Sequence, residues 1–515
     1  MITEGSMLFS PQYVQHEKEG TYLLIDPISP NWISTNNIGS QIVRMCDGRH
    51  TLNEIAGRIG DDHNIGLDQA RLDSRRFLER LLESDFVSEA PALKPPYLGR
   101  SEAIAPGKLS EIWIYTNNDC NLSCLHCLVS ASGRQSATMT TTQIKDLVAE
   151  AKHLGANRVY FTGGEPFLRE DILDLVEHVT RDVQLVILSN GILLDDSLVG
   201  ELKSRANNNL IVQVSLEAPT AEINDQLRGR GSFDKAVSGI KSLIRGGLTP
   251  IVTTTITRLN VDYAVQTTEF LASLGVKDHH ILWLHPRGRG QENLKDLFVD
   301  AGQLTETMRS LFERSQELGI LVDNKESLRV RARARRGRKN DLCNSCFEML
   351  CVDSNMQVYP CPSLNGDERF ACGSLEEQTL EEIFLKSPLP KWIRENSVQK
   401  KAGCNDCYLK FFCGGGCFCQ AYFNYEVEKG FGCIMAPDPY CNTYKSLFED
   451  LFWELARPLD SIKGNSEARN GEADKPKLFA SMDAALPACA ASSVKVTNAA
   501  FEVAGFHCAC VLGAE

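Results

Sequence analysis

The chain has 515 residues, a formal net charge of −13 at pH 7, 43% hydrophobic residues and 23% charged residues. This composition is typical of a globular protein of roughly two to four domains that buries a real core. The acidic balance gives no general attraction to nucleic acid, and no apolar run reaches the roughly 20 residues that cross a bilayer. We therefore expect no nucleic-acid partner and no membrane span.

The chain contains 19 cysteines, and most of them are grouped as in metal sites. Residues 1–7 lack the basic segment and apolar core of a signal peptide. Grouped cysteines in such a chain serve as ligands more often than as disulfides. We therefore expect a reducing, cytoplasmic location.

Residues 8–90 form the first predicted module. Thr21–Asp26 favours a strand, residues 36–43 favour the start of a helix, and Thr51 with Glu54 forms a capping box. A further helix is predicted over residues 67–82. The run Pro30-Asn-Trp-Ile-Ser-Thr-Asn-Asn-Ile-Gly, with Cys46-Asp-Gly and Thr51-Leu-Asn-Glu-Ile, resembles the PqqD-like peptide-recognition domains.

This resemblance implies a small winged-helix domain that binds a leader peptide as an added strand at a sheet edge. A generic winged helix used only for packing is the alternative. Cys46 is expected to be a buried small hydrophobe.

A linker rich in proline and glycine is predicted over residues 91–109, before an alternating region at 110–320. Strands are predicted near Ile112, Val159, Leu185, Ile211, Ile251 and Ile281. Helices are predicted near Ile144, Ile172, Leu198, Ala236 and Val265. Strands that alternate with helices indicate an α/β fold with a parallel sheet and right-handed crossovers.

Three cysteines follow the first of these strands, in Cys120-Asn-Leu-Ser-Cys124-Leu-His-Cys127. The loop offers three thiolates and no local fourth. A four-iron cluster held by three cysteines keeps one iron free for a substrate or cofactor. A zinc site with His126 as a further ligand is the alternative.

This spacing, after the apolar run Ile112–Tyr115, resembles the signature of the radical S-adenosylmethionine (SAM) enzymes. The resemblance implies a partial (β/α)6 barrel with its chemistry at the carboxyl ends of the strands. It also implies that the free iron chelates SAM, and that one electron, from a donor such as ferredoxin or flavodoxin, releases a 5′-deoxyadenosyl radical.

The resemblance also implies SAM-contact residues at the strand ends. Gly163, Gly164, Glu165 and Pro166 resemble the motif that binds the SAM amine. Ser189, Asn190, Ser215 and Glu217 occupy positions that contact the ribose and carboxylate, and Arg228 resembles an arginine near that carboxylate. The loop at 285–289 resembles the adenine-side loop. No catalytic acid or base is identified by the sequence, so the catalytic residues remain unknown at this stage.

A basic run precedes the next cysteine group. It contains Arg329, Arg331, Arg333, Arg335, Arg336, Arg338 and Lys339. A solvated helix face or linker is the favoured interpretation, and contact with an acidic peptide is the alternative.

Residues 340–455 carry a second cysteine array, which resembles the SPASM extension. The resemblance implies an outer four-iron cluster held by Cys404, Cys407, Cys413 and Cys441. It implies an inner cluster held by Cys346, Cys361 and Cys417 with Cys343. A zinc ribbon is the alternative for the array as a whole.

The array departs from the SPASM pattern at two places. Met356 replaces an expected glycine, and Cys343 lies unusually close to Cys346. Either Cys351 replaces Cys343, or the inner cluster keeps an iron open for a substrate thiolate. The extra cysteines are expected to be buried structural thiols, with ligand exchange as the alternative; they are Cys372, Cys419 and Cys433.

Residues 456–515 are predicted to be a flexible linker followed by an alanine-rich tail with Cys489, Cys508 and Cys510. A poorly ordered terminus is the favoured interpretation, and a tail that mimics or regulates a substrate in cis is the alternative.

Together, the three regions resemble a radical SAM/SPASM peptide maturase of the sactipeptide or ranthipeptide type. This implies three 4Fe-4S clusters, a precursor peptide with a leader, and formation of a thioether or, second, a carbon-carbon crosslink. A maturase of a protein or cofactor precursor, of the sulfatase or quinone-cofactor type, is the first alternative. A zinc-binding interaction protein is the second.

Overall fold

The computed structural model describes residues 2–91, 97, 99–100, 108–131, 138–333 and 339–456. Within those residues, no helix combines the length and the apolar character that crossing a membrane requires. The tail with Cys489, Cys508 and Cys510 lies outside the described residues, as does most of the predicted linker.

The N-terminal unit contains five short strands and three helices. They are β1 (Met7–Phe9), β2 (Val14–Lys18), β3 (Thr21–Asp26), β4 (Asn31–Thr35) and β5 (Asp47–Thr51), with helices Asn37–Met45, Leu52–His63 and Leu67–Glu83. Strand β3 pairs antiparallel with β2 and β4, and β1 pairs antiparallel with β5. The predicted strand, helices and capping box are all present.

Strand β3 packs against a different core on each face, because successive side chains of a strand point in opposite directions. Leu24 lies in the core of the N-terminal unit. Leu23 lies in a second core, with Phe452 from a helix near the end of the described residues. Trp32 on β4 also contacts Phe452 and donates from Nε1 to the carbonyl oxygen of Ala332, 2.8 Å away. The N-terminal unit is therefore packed directly onto the C-terminal region.

Seven neighbouring parallel strands form the larger sheet. They are β6 (Glu111–Asn117), β7 (Arg158–Gly163), β8 (Gln184–Ser189), β9 (Leu210–Ser215), β10 (Ile251–Ile256), β11 (Asp278–Trp283) and β12 (Leu321–Val322). The helices of this region are Thr141–His153, Ile172–Thr180, Asp196–Arg205, Ala221–Arg228, Ser232–Arg245, Ala264–Leu274, Arg289–Glu292, Leu294–Leu297 and Ala301–Leu318. The strands lie side by side in chain order. The predicted α/β class with a parallel sheet is confirmed; the short β12 was not predicted.

The larger sheet continues past β6 into the cysteine-rich region. Three further strands are β13 (Met349–Val352), β14 (Gln357–Tyr359) and β15 (Gly373–Ser374). Strand β13 pairs parallel with β6, and β14 and β15 add antiparallel. These ten strands form one sheet with β12 and β15 at its edges, so the described strands do not close into a barrel.

The remaining helices follow β12 and surround the second cysteine array. They are Asp323–Ala332, Leu380–Lys386, Pro388–Glu395, Lys410–Cys413, Phe418–Lys429 and Cys441–Leu455. Single 3-10 turns lie at Pro166–Leu168, Val261–Tyr263, Pro362–Leu364, Glu368–Phe370 and Val398–Lys400. Short helices joined by turns bring cysteines that are distant in the sequence into one core.

The predicted basic run begins on helix Asp323–Ala332. Arg329 pairs with Glu454 at 2.8 Å, and Arg331 donates to the carbonyl oxygen of Cys413, 2.9 Å away. Residues 334–338 lie outside the described residues. These two arginines hold the helix against the second cysteine array, so this part of the run is not a purely solvated face.

Candidate active site

The loop that follows β6 presents Cys120, Cys124 and Cys127 at the carboxyl end of the sheet. All three are partly buried. Burial raises the pKa of the Cys120 and Cys124 thiols, and the positive charge of Arg228 opposes this shift at Cys124. A nearby cation favours the thiolate form, which is the form that binds iron.

A glycine pair at the end of β7 lies directly against this loop. The amide of Gly164 donates to the carbonyl oxygen of Asn117 at 2.9 Å, and the amide of Glu165 donates to that of Asp119 at 2.8 Å. A Cβ atom on Gly163 or Gly164 would come within 1.9 Å of the same two carbonyl oxygens. Only glycine allows this approach, so the pair fixes the cysteine loop onto the sheet.

Glu165 forms a hydrogen-bonded unit with two other predicted SAM-contact residues. Its carboxylate accepts from the amide of Phe167 at 3.1 Å, the hydroxyl of Ser189 at 2.9 Å and the amide of Asn190 at 2.8 Å. Burial raises the pKa of Glu165 to about 7, although these hydrogen bonds oppose the shift. Asn190 also donates to the side chain of Asn121 in the cysteine loop, at 2.6 Å.

Glu217 and Arg228 form a buried ion pair, and His126 of the cysteine loop contacts it. The Nε of Arg228 lies 2.8 Å from Oε1 of Glu217, and the Nε2 of His126 lies 3.2 Å from the same oxygen. Burial alone would raise the pKa of Glu217, but Arg228 and His126 lower it to about 2. Ser215 ends β9 and is partly buried. Among the predicted strand-end residues, Glu217 and Arg228 meet each other, and His126 points to them with one nitrogen.

The loop after β11 connects the cysteine loop to the second array. Arg289 donates to the carbonyl oxygens of Cys124 and Ala131, each at 2.8 Å. Arg287 pairs with Asp367 at 2.9 Å. The predicted adenine-side loop therefore contacts both cysteine-bearing regions.

A cavity of about 380 Å³ lies between the cysteine loop and the second array. Its walls include Asn118, Arg287, Asp353 and Asn365. Asp353 is buried and accepts from Nδ2 of Asn118 at 3.0 Å. The sequence did not identify Asp353 or Asn118; the available signal was that each follows directly on a strand of the sheet.

In the inner part of the array, the thiols of Cys343, Cys361 and Cys417 are electrostatically coupled. Burial raises the pKa of Cys361 to about 12, with Cys343 adding to the shift, and burial with Cys361 and Cys343 raises that of Cys417. Cys346, a predicted inner ligand, is fully buried and lies beside Cys372. The thiol of Cys351 points to Oδ1 of Asn365 at 3.7 Å. The inner set of four stays a prediction, and three of its members influence one another electrostatically.

In the outer part of the array, Cys404 interacts electrostatically with each of the other three predicted thiols. Burial raises the pKa of Cys404 to about 12, and Cys413, Cys441 and Cys407 add to the shift. Burial raises the pKa of Cys413 to about 11, with a further contribution from Cys441. Thiols that lie close together and oppose one another's ionisation form a suitable donor set for a cationic iron-sulfur core.

Buried polar atoms without a partner test whether these regions fit a cofactor. Several of them surround the first cysteine loop, namely Oδ1 of Asn117, Oδ1 of Asn118, Oδ1 of Asp119 and Nδ1 of His126. Native proteins rarely leave buried polar atoms unpaired, so their concentration at one loop fits a bound polar group. Within the described chain, no three Cys, His, Asp or Glu side chains converge as they would around a single ion. The three partly buried thiols of that loop, with the unpaired polar atoms around them, fit a cluster together with a polar ligand.

Three family models match successive parts of the chain. The PqqD model, described as coenzyme PQQ synthesis protein D, matches residues 21–87. The radical SAM superfamily model matches residues 114–271, and the SPASM model, an iron-sulfur cluster-binding domain, matches residues 343–408.

The chain is also similar to known proteins. It is 30% identical to the mycofactocin maturase MftC of Mycobacterium tuberculosis (strain CDC 1551 / Oshkosh) over 326 residues, which cover 62% of this chain and 80% of that protein. Its fold matches the structure of native anSMEcpe with bound AdoMet, with a TM-score of 0.56 and 18% identity. The match covers 67% of this chain and 97% of that chain. It also matches Streptococcus suis SuiB bound to precursor peptide SuiA, with a TM-score of 0.52, 15% identity, and coverage of 82% and 99%.

The three matched domains lie in the order in which the sequence resemblance placed them, and they contain the cysteine loop together with Cys343 and Cys361. Iron-sulfur chemistry and SAM therefore take precedence over the zinc alternatives. This chain is an enzyme of the radical SAM/SPASM family of peptide and cofactor maturases, with a PqqD-like domain before its radical SAM domain.

Proposed function

We propose that this enzyme crosslinks a ribosomally made precursor peptide, with thioether formation as the first choice and carbon-carbon bond formation as the second. The observation that carries the proposal is the cavity of about 380 Å³ whose walls combine Leu128–Ala131, which directly follow the cysteine loop, with Asp353 and Asn365 of the second array. A peptide segment in that cavity would face both iron-binding regions at once.

We assign the SAM cluster to Cys120, Cys124 and Cys127. SAM then lies against Gly163–Pro166, Ser189, Asn190, Ser215, Glu217 and Arg228. The raised pKa of Glu165 supports this assignment, because a ligand ammonium beside a buried carboxylate would stabilise its charged form. Glu217 is already neutralised by Arg228, so this pair serves to hold the loop through His126.

When bound, SAM and the iron-sulfur clusters would supply the difficult chemistry, namely radical abstraction of a hydrogen atom from carbon and one-electron transfer. The residues of the cavity position the peptide for this chemistry. Asp353 is placed to accept the proton of the substrate thiol at a carboxylate oxygen, while Asn118 holds that carboxylate in place. Thioether formation removes one hydrogen atom from the carbon and one proton from the thiol. One further electron leaves when the thiolate sulfur bonds to the carbon radical.

Two auxiliary 4Fe-4S clusters complete the proposal. The outer cluster is assigned to Cys404, Cys407, Cys413 and Cys441. The inner cluster is assigned to Cys343, Cys361 and Cys417, which leaves one iron for a substrate thiolate while Cys346 remains with Cys372. This open iron is the reason for ranking a thioether first. A ferredoxin or flavodoxin is the proposed electron donor.

The leader of the peptide is proposed to dock on the edge of β2. Strands β2 and β4 are the edges of their sheet, and β2 is the more exposed of the two. Strand addition supplies main-chain hydrogen bonds at such an edge. Tethering the leader raises the effective concentration of the core peptide at the cavity.

None of the described cysteines forms a disulfide, which agrees with a cytoplasmic location.

The testing experiment incubates the reconstituted enzyme with SAM, a reductant and a precursor peptide encoded near its gene. A product lighter by two hydrogen atoms, with a cysteine that no longer alkylates, supports a thioether. The same mass loss with a free thiol supports a carbon-carbon bond. Turnover of a protein or cofactor precursor in place of any peptide would support the sulfatase-type or quinone-type alternative and refute the proposal.

A further inference from the structure

Lys401 is a buried lysine whose ammonium has no hydrogen-bond partner among the described residues. Its side chain is only 1% exposed, and its Nζ makes no hydrogen bond there. Its stem packs closely against the backbone of Gly415, where a Cβ atom would come within 3.0 Å of Cδ of Lys401. Nζ lies 5.6 Å from the centre of the Phe418 ring. The ammonium is therefore held inside the protein and does not reach water.

The charged and titratable neighbours of Lys401 are thiols of the outer set and one buried carboxylate, Asp438. A Cβ atom on Gly415 would lie 3.0 Å from Cδ of Lys401 and 3.7 Å from Sγ of Cys404, so the two side chains flank the same glycine. The amide of Cys404 donates to the carbonyl oxygen of Lys401 at 3.0 Å. Asp438 is a nearby buried carboxylate that interacts electrostatically with Lys401. Its oxygens accept from the amides of Cys417 and Tyr440, both at 2.8 Å, and make no hydrogen bond to Nζ of Lys401.

An unpaired buried ammonium is strongly destabilising, because the interior solvates charge poorly. Neutral thiols do not offset that cost. Four thiolates around a 4Fe-4S core carry a net negative charge, which the ammonium would stabilise across a short, poorly screened distance. The position of Lys401 is thus unfavourable without a cluster and favourable beside one.

We propose that Lys401 is the cation that neutralises the outer auxiliary cluster and raises its reduction potential. The inference rests on the proposed assignment of Cys404, Cys407, Cys413 and Cys441 to that cluster. A fixed positive charge stabilises the reduced cluster more than the oxidised one, since the reduced cluster is more negative. Lys401 is a positioning residue for charge and touches no substrate.

Lys410 provides a matched control in the same region. It is also buried, but its Nζ donates to the carbonyl oxygen of Asn405 at 2.7 Å. It lies between Cys407 and Cys413 in the sequence, so replacing it changes the local charge by the same amount. The two lysines differ in whether a protein group already satisfies the ammonium.

The experiment uses the full chain in which Cys120, Cys124 and Cys127 are replaced by alanine, so that only the auxiliary clusters are observed. Redox titrations followed by electron paramagnetic resonance compare Lys401→Met, Lys401→Arg and Lys410→Met. We expect Lys401→Met to lower one of the two auxiliary potentials and leave the other in place. Lys401→Arg keeps the parent potential, and Lys410→Met gives the smaller shift.

Urea unfolding of the iron-free full chain gives a second measurement. There Lys401→Met raises the midpoint, because an unpaired buried charge is removed, whereas Lys410→Met lowers it, because a carbonyl group is left unpaired. Unchanged auxiliary potentials in Lys401→Met at full iron content would overturn the inference. If Cys404→Ala retains the full iron content, the outer-cluster assignment itself fails, and this result is distinguishable from failure of the role of Lys401 alone.

Discussion

The Nε2 of His285 lies 3.6 Å from the Sγ of Cys417. This contact joins the loop after β11 to an inner thiol of the SPASM domain. Arg289, four residues further along, donates to the carbonyl oxygen of Cys124. One loop thus contacts the proposed ligands of two different clusters.

The first prediction concerns this loop. Arg289→Met removes the donors to the carbonyl oxygens of Cys124 and Ala131, so the SAM cluster should be lost, which lowers the iron content by about four per chain. Iron and sulfide analysis after anaerobic reconstitution measures this; the unaltered enzyme should hold about 12 of each. Arg205→Met, an exposed arginine paired with Glu201, is the control and should keep full iron. Full iron in Arg289→Met would show that the loop is not needed to hold the cluster.

The second prediction concerns the glycine pair. In Gly164→Ala the new Cβ would come within 1.9 Å of the carbonyl oxygen of Asp119, so the cysteine loop has to move. We expect a loss of about four irons and of about 1–3 kcal/mol in unfolding free energy. Gly200→Ala is the matched control, since no atom lies within 4 Å of its Cβ on an exposed helix. That change should stabilise the protein by about 0.5–1 kcal/mol.

The third prediction concerns the buried pair of Glu217 and Arg228. Glu217→Gln leaves the guanidinium unpaired, so the unfolding free energy should fall by about 3–5 kcal/mol at neutral pH. The pKa of Glu217 is lower in the folded protein, about 2, than its ordinary value of 4.5. The contribution of the pair is therefore complete above about pH 4.5 and is lost as the pH falls toward about 2. Urea titrations at several pH values measure both effects. If the unfolding free energies of the unaltered enzyme and of Glu217→Gln changed equally between about pH 4.5 and about pH 2, the interpretation would be wrong.

The fourth prediction separates two neighbouring cysteines. Cys343→Ala should remove the inner cluster and about four irons, whereas Cys346→Ala should retain the iron, because Cys346 lies beside Cys372. The buried Cys346→Ala change should still lower the unfolding free energy by about 1 kcal/mol. Loss of iron in Cys346→Ala would restore the inner set of four that the sequence favoured.

The fifth prediction concerns peptide docking. A photocrosslinking residue in place of Glu17 on exposed β2 should capture the leader of the precursor peptide. The same residue in place of Glu222, exposed on the helix Ala221–Arg228, should capture none. Mass spectrometry of the crosslinked product locates the contact, and equal capture at both positions would refute docking at β2.

The sequence predicted local features better than contacts between distant segments. Apolar runs located six parallel strands, and the Thr51–Glu54 capping box was visible because its partners are three residues apart. Asn118 and Asp353 meet across 235 positions, so no local pattern could pair them. The domain limits of 8–90, 110–320 and 340–455 stay predictions.

Cysteine spacing has a similar limit. It indicates which thiols are available as ligands, but packing decides which of them meet. Cys346 is three residues from Cys343, yet its side chain contacts Cys372. The burial of Lys401 was likewise invisible, since lysines lie mostly on protein surfaces.

Strand β13 pairs with β6 at four positions, from Met349 with Glu111 to Val352 with Ile114. The loop that follows β6 carries the cysteines proposed to hold the SAM cluster, and β13 lies in the sequence between the proposed inner ligands Cys343 and Cys361. Backbone hydrogen bonds, and not a hinge between domains, therefore set the spacing of these two proposed cluster sites. The length of the electron path is a property of a rigid ladder and should stay constant while the enzyme binds and releases its substrates.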